Sequence, residues 1–180
     1  VIDRVEAIAD QVQVAAADVV IVRGFPWLLP PQVWERCRLG GINIHPSALP
    51  RDRGPAPVHH AVLRGDDEVT VSAHALAEQF DAGPVLGRAE AVIAGLSDGA
   101  AIWSAVDQAA DRALDQALDV VARGGEGEPQ DSARASWAGR PPVAAYRLAE
   151  NDTTTSARAK MRAAGLGGVP PPGAHVLAGD

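Results

Sequence analysis

At 180 residues, 47% of them hydrophobic, the chain is long enough to bury most of a core and too apolar to be disordered throughout. A formal charge of −7 argues against a surface that grips nucleic acid broadly, while leaving room for a small anionic substrate held by local arginines. The lone cysteine, Cys37, excludes an internal disulfide and suits a reducing, cytoplasmic setting; no signal peptide or bilayer-length apolar run is visible, so no membrane partner is expected.

Asp3 can cap a helix, with Glu6 as capping-box partner and Val5, Ile8 and Val12 at helical spacing. Asp18 to Val22 is an apolar run, expected to be a buried parallel strand with Val20 and Ile21 in the core. Arg23 to Pro30 leaves it as a loop. Pro31 suits the first turn of a short helix containing Val33, Trp34 and Cys37, ended by Gly40-Gly41. Ile42 and Ile44 then alternate with Asn43 and His45 until Pro46 stops the strand. Asn43 and His45 therefore share a face, and His45 lies at the strand's carboxyl end, where open α/β sheets hold ligands.

A short helix from about Pro55 to Arg64, closed by Gly65, comes next. Val69 to Leu76 alternates as a strand, with Val71, Ala73 and Ala75 on one face and Ser72, His74 and Leu76 on the other. Asp81-Ala82-Gly83 is a turn, and Val85 to Ile93 a returning strand. Ser97 is expected to cap a long helix to about Arg123, with Ile102, Val106, Ala109, Ala113 and Ala117 on its apolar face. Asp107, Asp111, Asp115 and Asp119 form an acidic stripe on that helix, which reads as a solvated face. Gly124 to Pro129 begins a linker, Thr153 to Ser156 can cap a short helix through Met161, and Gly165 to Pro172 is a loop.

An amide and an imidazole side by side can donate to an oxyanion and move a proton. Taken alone, Asn43 and His45 are equally two polar residues at a strand end, and Asp81 is ordinary turn chemistry. His59 and His60 lack Cys or carboxylate partners at ligand spacing, so no metal is expected. His74 reads as a packed strand residue.

Asn43-Ile44-His45-Pro46-Ser47-Ala48-Leu49-Pro50 resembles the Asn-x-His-Pro-Ser-Leu-Leu-Pro signature of formyltransferases that use 10-formyltetrahydrofolate. That family includes methionyl-tRNA formyltransferase, glycinamide ribonucleotide transformylase and sugar N-formyltransferases. Phe80 to Leu86 resembles the family's Leu-Asp-x-Gly-x-x-Leu block, which carries its catalytic aspartate. The likeness runs from about Ala17 to Val121 and fades toward Val176.

The resemblance implies an α/β fold: an incomplete doubly wound, Rossmann-like formyltransferase domain with a mostly parallel sheet, lacking its first βα units. That domain would cover residues 1–123, a linker 124–135, and the start of a carboxyl-terminal domain 136–180, with Pro172-Gly173-Ala174 near its end. The implied co-substrate is 10-formyltetrahydrofolate, without a metal. The implied acceptor is an amine, either methionyl-tRNA or a small amino sugar or amino acid. Asn43, His45 and Asp81 are the implied catalytic group. Phe25, Trp27, Gln79, Phe80 and Gly83 would contact folate; Ser47, Arg51, Arg53 and Gly54 would lie beside the acceptor. The chain departs from the pattern at Ala48, at Gln79 where the family has glycine, and at Arg23-Gly24-Phe25-Pro26 where the methionyl-tRNA enzymes have Ala-Tyr-Gly. Hydrolysis of the folate formyl group and a non-catalytic partner subunit are the alternatives.

Overall fold

The structure, a computed structural model, describes residues 16–167. Four strands form one sheet in the order β1 (Val20–Arg23), β2 (Gly41–His45), β3 (Glu68–Ala75), β4 (Val85–Val92). β1 and β2 are parallel, but β2–β3 and β3–β4 are antiparallel. The α/β class holds, whereas the described sheet is mixed and not mostly parallel. Parallel neighbours need a crossover that returns the chain to the starting end of the sheet. After β2 the chain stays at the carboxyl end: Pro46 to Ala56 is a loop, helix α1 (Pro57–Arg64) has only 8 residues, and β3 starts from that end. The short turn from Leu76 to Pro84 likewise permits only an antiparallel β4.

β1 begins two residues later than the apolar run suggests, and its burial also departs from expectation. Val20 is only half-buried and Ile21 is 48% exposed, because β1 is the edge of the described sheet and the long helix α2 (Gly99–Ala122) lies across β3 and β4. Its partner in register, Ile42, is fully buried. The segment before β2 makes one 3-10 turn, Pro31–Val33, in place of a longer helix.

Asp98, not Ser97, caps α2: its carboxylate accepts from the N–H groups of Ala100 and Ala101 at 3.3 Å each. Ile102, Val106, Ala109, Ala113 and Ala117 are all buried, as the periodicity requires. This small-residue face lets α2 approach the sheet so closely that a Cβ on Gly87 of β4 would sit 2.5 Å from the Ala113 carbonyl oxygen. From the same helix, Gln116 accepts the Arg88 N–H of β4 at 3.1 Å and Arg112 donates to the Glu90 carbonyl at 2.8 Å. The acidic side chains of α2 are exposed, with Asp107 paired to Arg23.

Helix α3 (Thr154–Gly165), capped by Thr153 Oγ1 on the Ser156 N–H, runs past Met161. Ala163, Ala164, Leu166 and Tyr146 join Ile42, Ile44, Val71, Ile93, Val62 and α2 in the main core. Leu29, Val33 and Trp34 form a second cluster, with Val20, Val22 and Leu76 packed against it, on the face that carries Asn43. After α2 a strap, residues 128–138, crosses back from the start of β4 past the Asp81 turn to the loop after β2. Glu128 pairs with Val85 and Trp137 with Arg53. The helix expected from Asp3, the loop beyond Gly167 and Pro172-Gly173-Ala174 lie outside the described residues. No helix among those described is long and apolar enough to cross a membrane.

Ile21 and Ile42 share chemistry and register but not burial. Ile42→Ala is expected to cost about 2–5 kcal/mol, and Ile21→Ala under about 1 kcal/mol, read as shifts in the urea midpoint of this chain.

Candidate active site

The antiparallel register of β2 and β3 sets Asn43 directly opposite His74, on the face that also carries His45. Asp81 reaches them from the turn after β3. It adopts a left-handed φ of 52°, and the turn is drawn against β3 at Gly83, where a Cβ would lie 1.9 Å from the Ala75 carbonyl oxygen. Glycine is required there by space.

Four polar groups meet at the Asp81 carboxylate, which is buried. Asn43 Nδ2 donates to Oδ1 at 3.1 Å, and the Gly54 N–H donates to Oδ2 at 2.8 Å. His45 Nδ1 lies 3.4 Å and His74 Nε2 3.5 Å from Oδ1. Backbone carbonyls set both tautomers, because a carbonyl oxygen only accepts. His45 Nε2 is 2.8 Å from the Asp52 carbonyl and must carry hydrogen, which leaves Nδ1 to gain or lose a proton facing Asp81. His74 Nδ1 donates to the Ala75 carbonyl at 2.8 Å, so its Nε2 accepts the second Asn43 amide hydrogen at 3.0 Å.

Burial holds the His45 pKa below its ordinary 6.5; the Asp81 charge and the Asp52 carbonyl oppose this, and His74 adds to it. For Asp81, burial pushes upward but is outweighed by the His74 ring, the positive form of His45 and the Gly54 N–H, and the carboxyl lies below its usual range. The resting pair is thus a neutral imidazole beside a carboxylate.

Asn43, His45, Asp81 and Gly54 open onto a cavity of about 690 Å³. Phe25, Trp27, Gln79 and Phe80 line it, with Phe25 and Trp27 edge to face at 5.2 Å. The other expected contacts lie elsewhere. Gly83 packs the turn against Ala75 and is not part of the wall. Ser47 Oγ donates to the Arg51 carbonyl at 2.7 Å and is buried within its own loop. The Arg53 guanidinium is turned to Gln130, whose Oε1 it meets at 3.1 and 2.7 Å. Arg51 faces the Asp52 carboxylate at 3.7 Å, outside the cavity wall. Among the described residues, no group of three His, Cys, Asp or Glu side chains is placed to hold a metal ion.

Several site residues have no role in the sequence reading. His74 is packed, as expected, yet its ring orients Asn43; an antiparallel β3 would have predicted that pairing, and a parallel one conceals it. Asp52, in a left-handed φ of 58°, supplies the carbonyl for His45; its N–H goes to Ser136 Oγ at 2.9 Å and its carboxylate to Arg64 at 2.8 Å. Trp137 lines the cavity and lies on Gly54, where a Cβ would meet its ring at 2.8 Å. Gln130, Ser136 and Trp137 sit in a stretch without periodicity, so only tertiary contacts reveal them.

The depressed His45 value has a definite sign. Below pH 6.5 the unfolded chain binds more protons at this position than the folded one, so stability falls as pH drops from there toward the folded value, and His59, lowered by its own burial, adds in the same direction. The Asp81 contribution is present above 3.8 and is lost only as pH falls through its lower folded value. NMR titration should find His45 neutral at pH 7 and titrating below 6.5; a His45 midpoint at or above 6.5 contradicts the site geometry.

The Formyl transferase family profile matches residues 3–118. Methionyl-tRNA formyltransferase of Wolbachia pipientis subsp. Culex pipiens (strain wPip) is 46% identical over 69 residues, 38% of this chain and 23% of that protein. The chain thus spans about a quarter of that relative's length. HypX from Aquifex aeolicus, in complex with tetrahydrofolic acid, superposes with a TM-score of 0.80 at 21% identity, over 94% of this chain and 29% of HypX. Methionyl-tRNA formyltransferase from Clostridium thermocellum superposes with a TM-score of 0.73 at 16% identity, over 95% of this chain and 71% of that one. These structural likenesses show the fold; the profile covers most of the sequence and both motif blocks, and on that match the chain belongs to the formyl transferase family.

Proposed function

We propose that this chain carries the reaction centre of an enzyme that transfers a formyl group from 10-formyltetrahydrofolate to an amine. The observation that carries the reading is the meeting of Asn43, His45 and Asp81 at one carboxylate oxygen on the wall of an aromatic-lined cavity. The cavity suits the folate. Phe25, Trp27 and Phe80 offer flat apolar surface to a pteridine and a p-aminobenzoyl ring, and the tetrahydrofolic acid bound by the similarly folded HypX supports the assignment.

Formyl transfer forms a bond from the amine nitrogen to the formyl carbon and breaks the bond from that carbon to the folate nitrogen. One proton must leave the amine and one must reach the departing nitrogen. Neutral His45 can take the first at Nδ1, since Nε2–H is tied to the Asp52 carbonyl. The imidazolium so formed lies against Asp81, which remains ionised, and can return the proton to the leaving group. His45 and Asp81 therefore act as one proton-handling unit. Asn43 is the amide donor for the developing oxyanion, and because both its hydrogens are engaged, with His74 and Asp81, donation requires one to be released. Gln79 stands on the cavity wall and narrows the folate side. The acceptor is an amine of the methionyl-tRNA or small amino sugar or amino acid type; the net charge of −7 favours the smaller.

The direct test follows tetrahydrofolate production from 10-formyltetrahydrofolate with and without candidate amines. Formate release without an amine would instead identify a hydrolase. His45→Ala and Asp81→Ala should each lower kcat by orders of magnitude, with the double mutant losing little more. Asn43→Ala should lower kcat about a hundredfold or more with modest change in folate affinity. Additive losses at His45 and Asp81 would contradict a single proton-handling unit.

A further inference from the structure

The two loops that meet at the site are not joined by the strands that carry them. His45 is followed by residues 46–56, and Asp81 sits in the turn between β3 and β4; neither loop has regular structure of its own. The strap bridges them. At one end Glu128 and Val85 exchange backbone hydrogen bonds of 2.8 and 2.7 Å, just after the Asp81 turn. At the other, the Arg53 N–H donates to the Ser136 carbonyl at 2.9 Å and the Ala138 N–H to the Arg53 carbonyl at 2.6 Å.

Between these anchors lies Gln130, partly buried, with both ends of its amide used. Nε2 donates to the backbone carbonyls of Asp81 at 2.9 Å and Gly83 at 2.7 Å. Oε1 accepts two N–H groups of Arg53, at 3.1 and 2.7 Å. The residue after Arg53 is Gly54, whose N–H holds the Asp81 carboxylate. One side chain thus grips the backbone of the aspartate from one side and the residue preceding its amide partner from the other. Only an uncharged carboxamide meets both demands, because two carbonyls require a donor and a guanidinium requires an acceptor.

We propose that Gln130 is a positioning residue, which fixes the Asp81 carboxylate at His45 by clamping the Asp81 turn to the loop after β2. The left-handed backbone at Asp81 makes the clamp consequential: a non-glycine residue in that conformation persists only where its surroundings hold it. Gln130 touches no reacting atom in this assignment. The proposal rests on the formyl-transfer reading for its kinetic consequence, but not for its geometric one.

Gln130→Met keeps length and neutrality and removes both sets of hydrogen bonds. Misplacing Asp81 should lower kcat about tenfold to a hundredfold, while the folate KM changes less than about threefold because Gln130 bonds none of the aromatic side chains of the cavity wall. The groups facing His45 are Asp81, the carbonyl and carboxylate of Asp52, and His74. Of these, Gln130 grips only Asp81, which raises the His45 value. In Gln130→Met the NMR midpoint of His45 should therefore move further down. Unchanged turnover, or lost turnover with an unmoved His45 midpoint, overturns the proposal. If Gln130→Met does not fold, Gln130→Glu retains the acceptor for Arg53 and turns a carboxylate toward the two carbonyls; kcat should again fall at near-constant folate KM, and wild-type kcat overturns the proposal. Should the wild-type chain transfer no formyl group to any amine, the functional reading fails, and the His45 midpoint still decides whether Gln130 positions Asp81.

Discussion

One carboxylate sets the order of this site. Asp81 Oδ1 draws in Asn43 and both histidines, and Oδ2 holds the Gly54 N–H. A buried carboxylate without partners would be protonated or excluded; with the Asn43 amide and the Gly54 N–H donating to it, it stays ionised. The four partners arrive from three elements: Asn43 and His45 from β2, His74 from β3, Gly54 from the loop after β2. The close approach of Gly83 to Ala75, the left-handed turn and the antiparallel β2–β3 register are all conditions for that meeting.

His45 shows how backbone decides chemistry. Its ring has two nitrogens of similar basicity, and the Asp52 carbonyl removes the choice by occupying one. Asp52 in turn is held by Ser136 and Arg64. The nitrogen left free to gain or lose a proton is therefore selected by residues on the strap and on α1, neither of which touches the cavity through these contacts.

Alternation around Ile42 and Ile44 suffices to put Asn43 and His45 on one face, and the four-residue rhythm of α2 suffices to name its buried side. Both are local consequences of helix and strand geometry. Strand direction is not local. The apolar run at Val19 to Val22 reads as a core strand because composition alone does not say how far α2 extends across the sheet, and Ile21 is left exposed. Asn43, His45 and Asp81 were legible from their two motif blocks, while Gln130 and Ser136 were not, since a single amide or hydroxyl in an aperiodic stretch carries no signal until the chain folds back. Arg53 shows the converse: an arginine beside a signature suggests an anionic ligand, and folding gives its guanidinium a neutral amide of the same chain as partner.

The side chains that α2 lends to β4 bear on association as well as folding. β4 is an edge of the described sheet, and a free edge is a template for another strand. Here Gln116 occupies the Arg88 N–H, Arg112 the Glu90 carbonyl, and Glu128 both backbone groups of Val85. The outward side chains Arg88 and Glu90 add charge to the same edge. A strand pairing along Val85 to Glu90 would have to displace three intramolecular partners and desolvate two charges, which disfavours strand addition at this margin and the aggregation that begins with it.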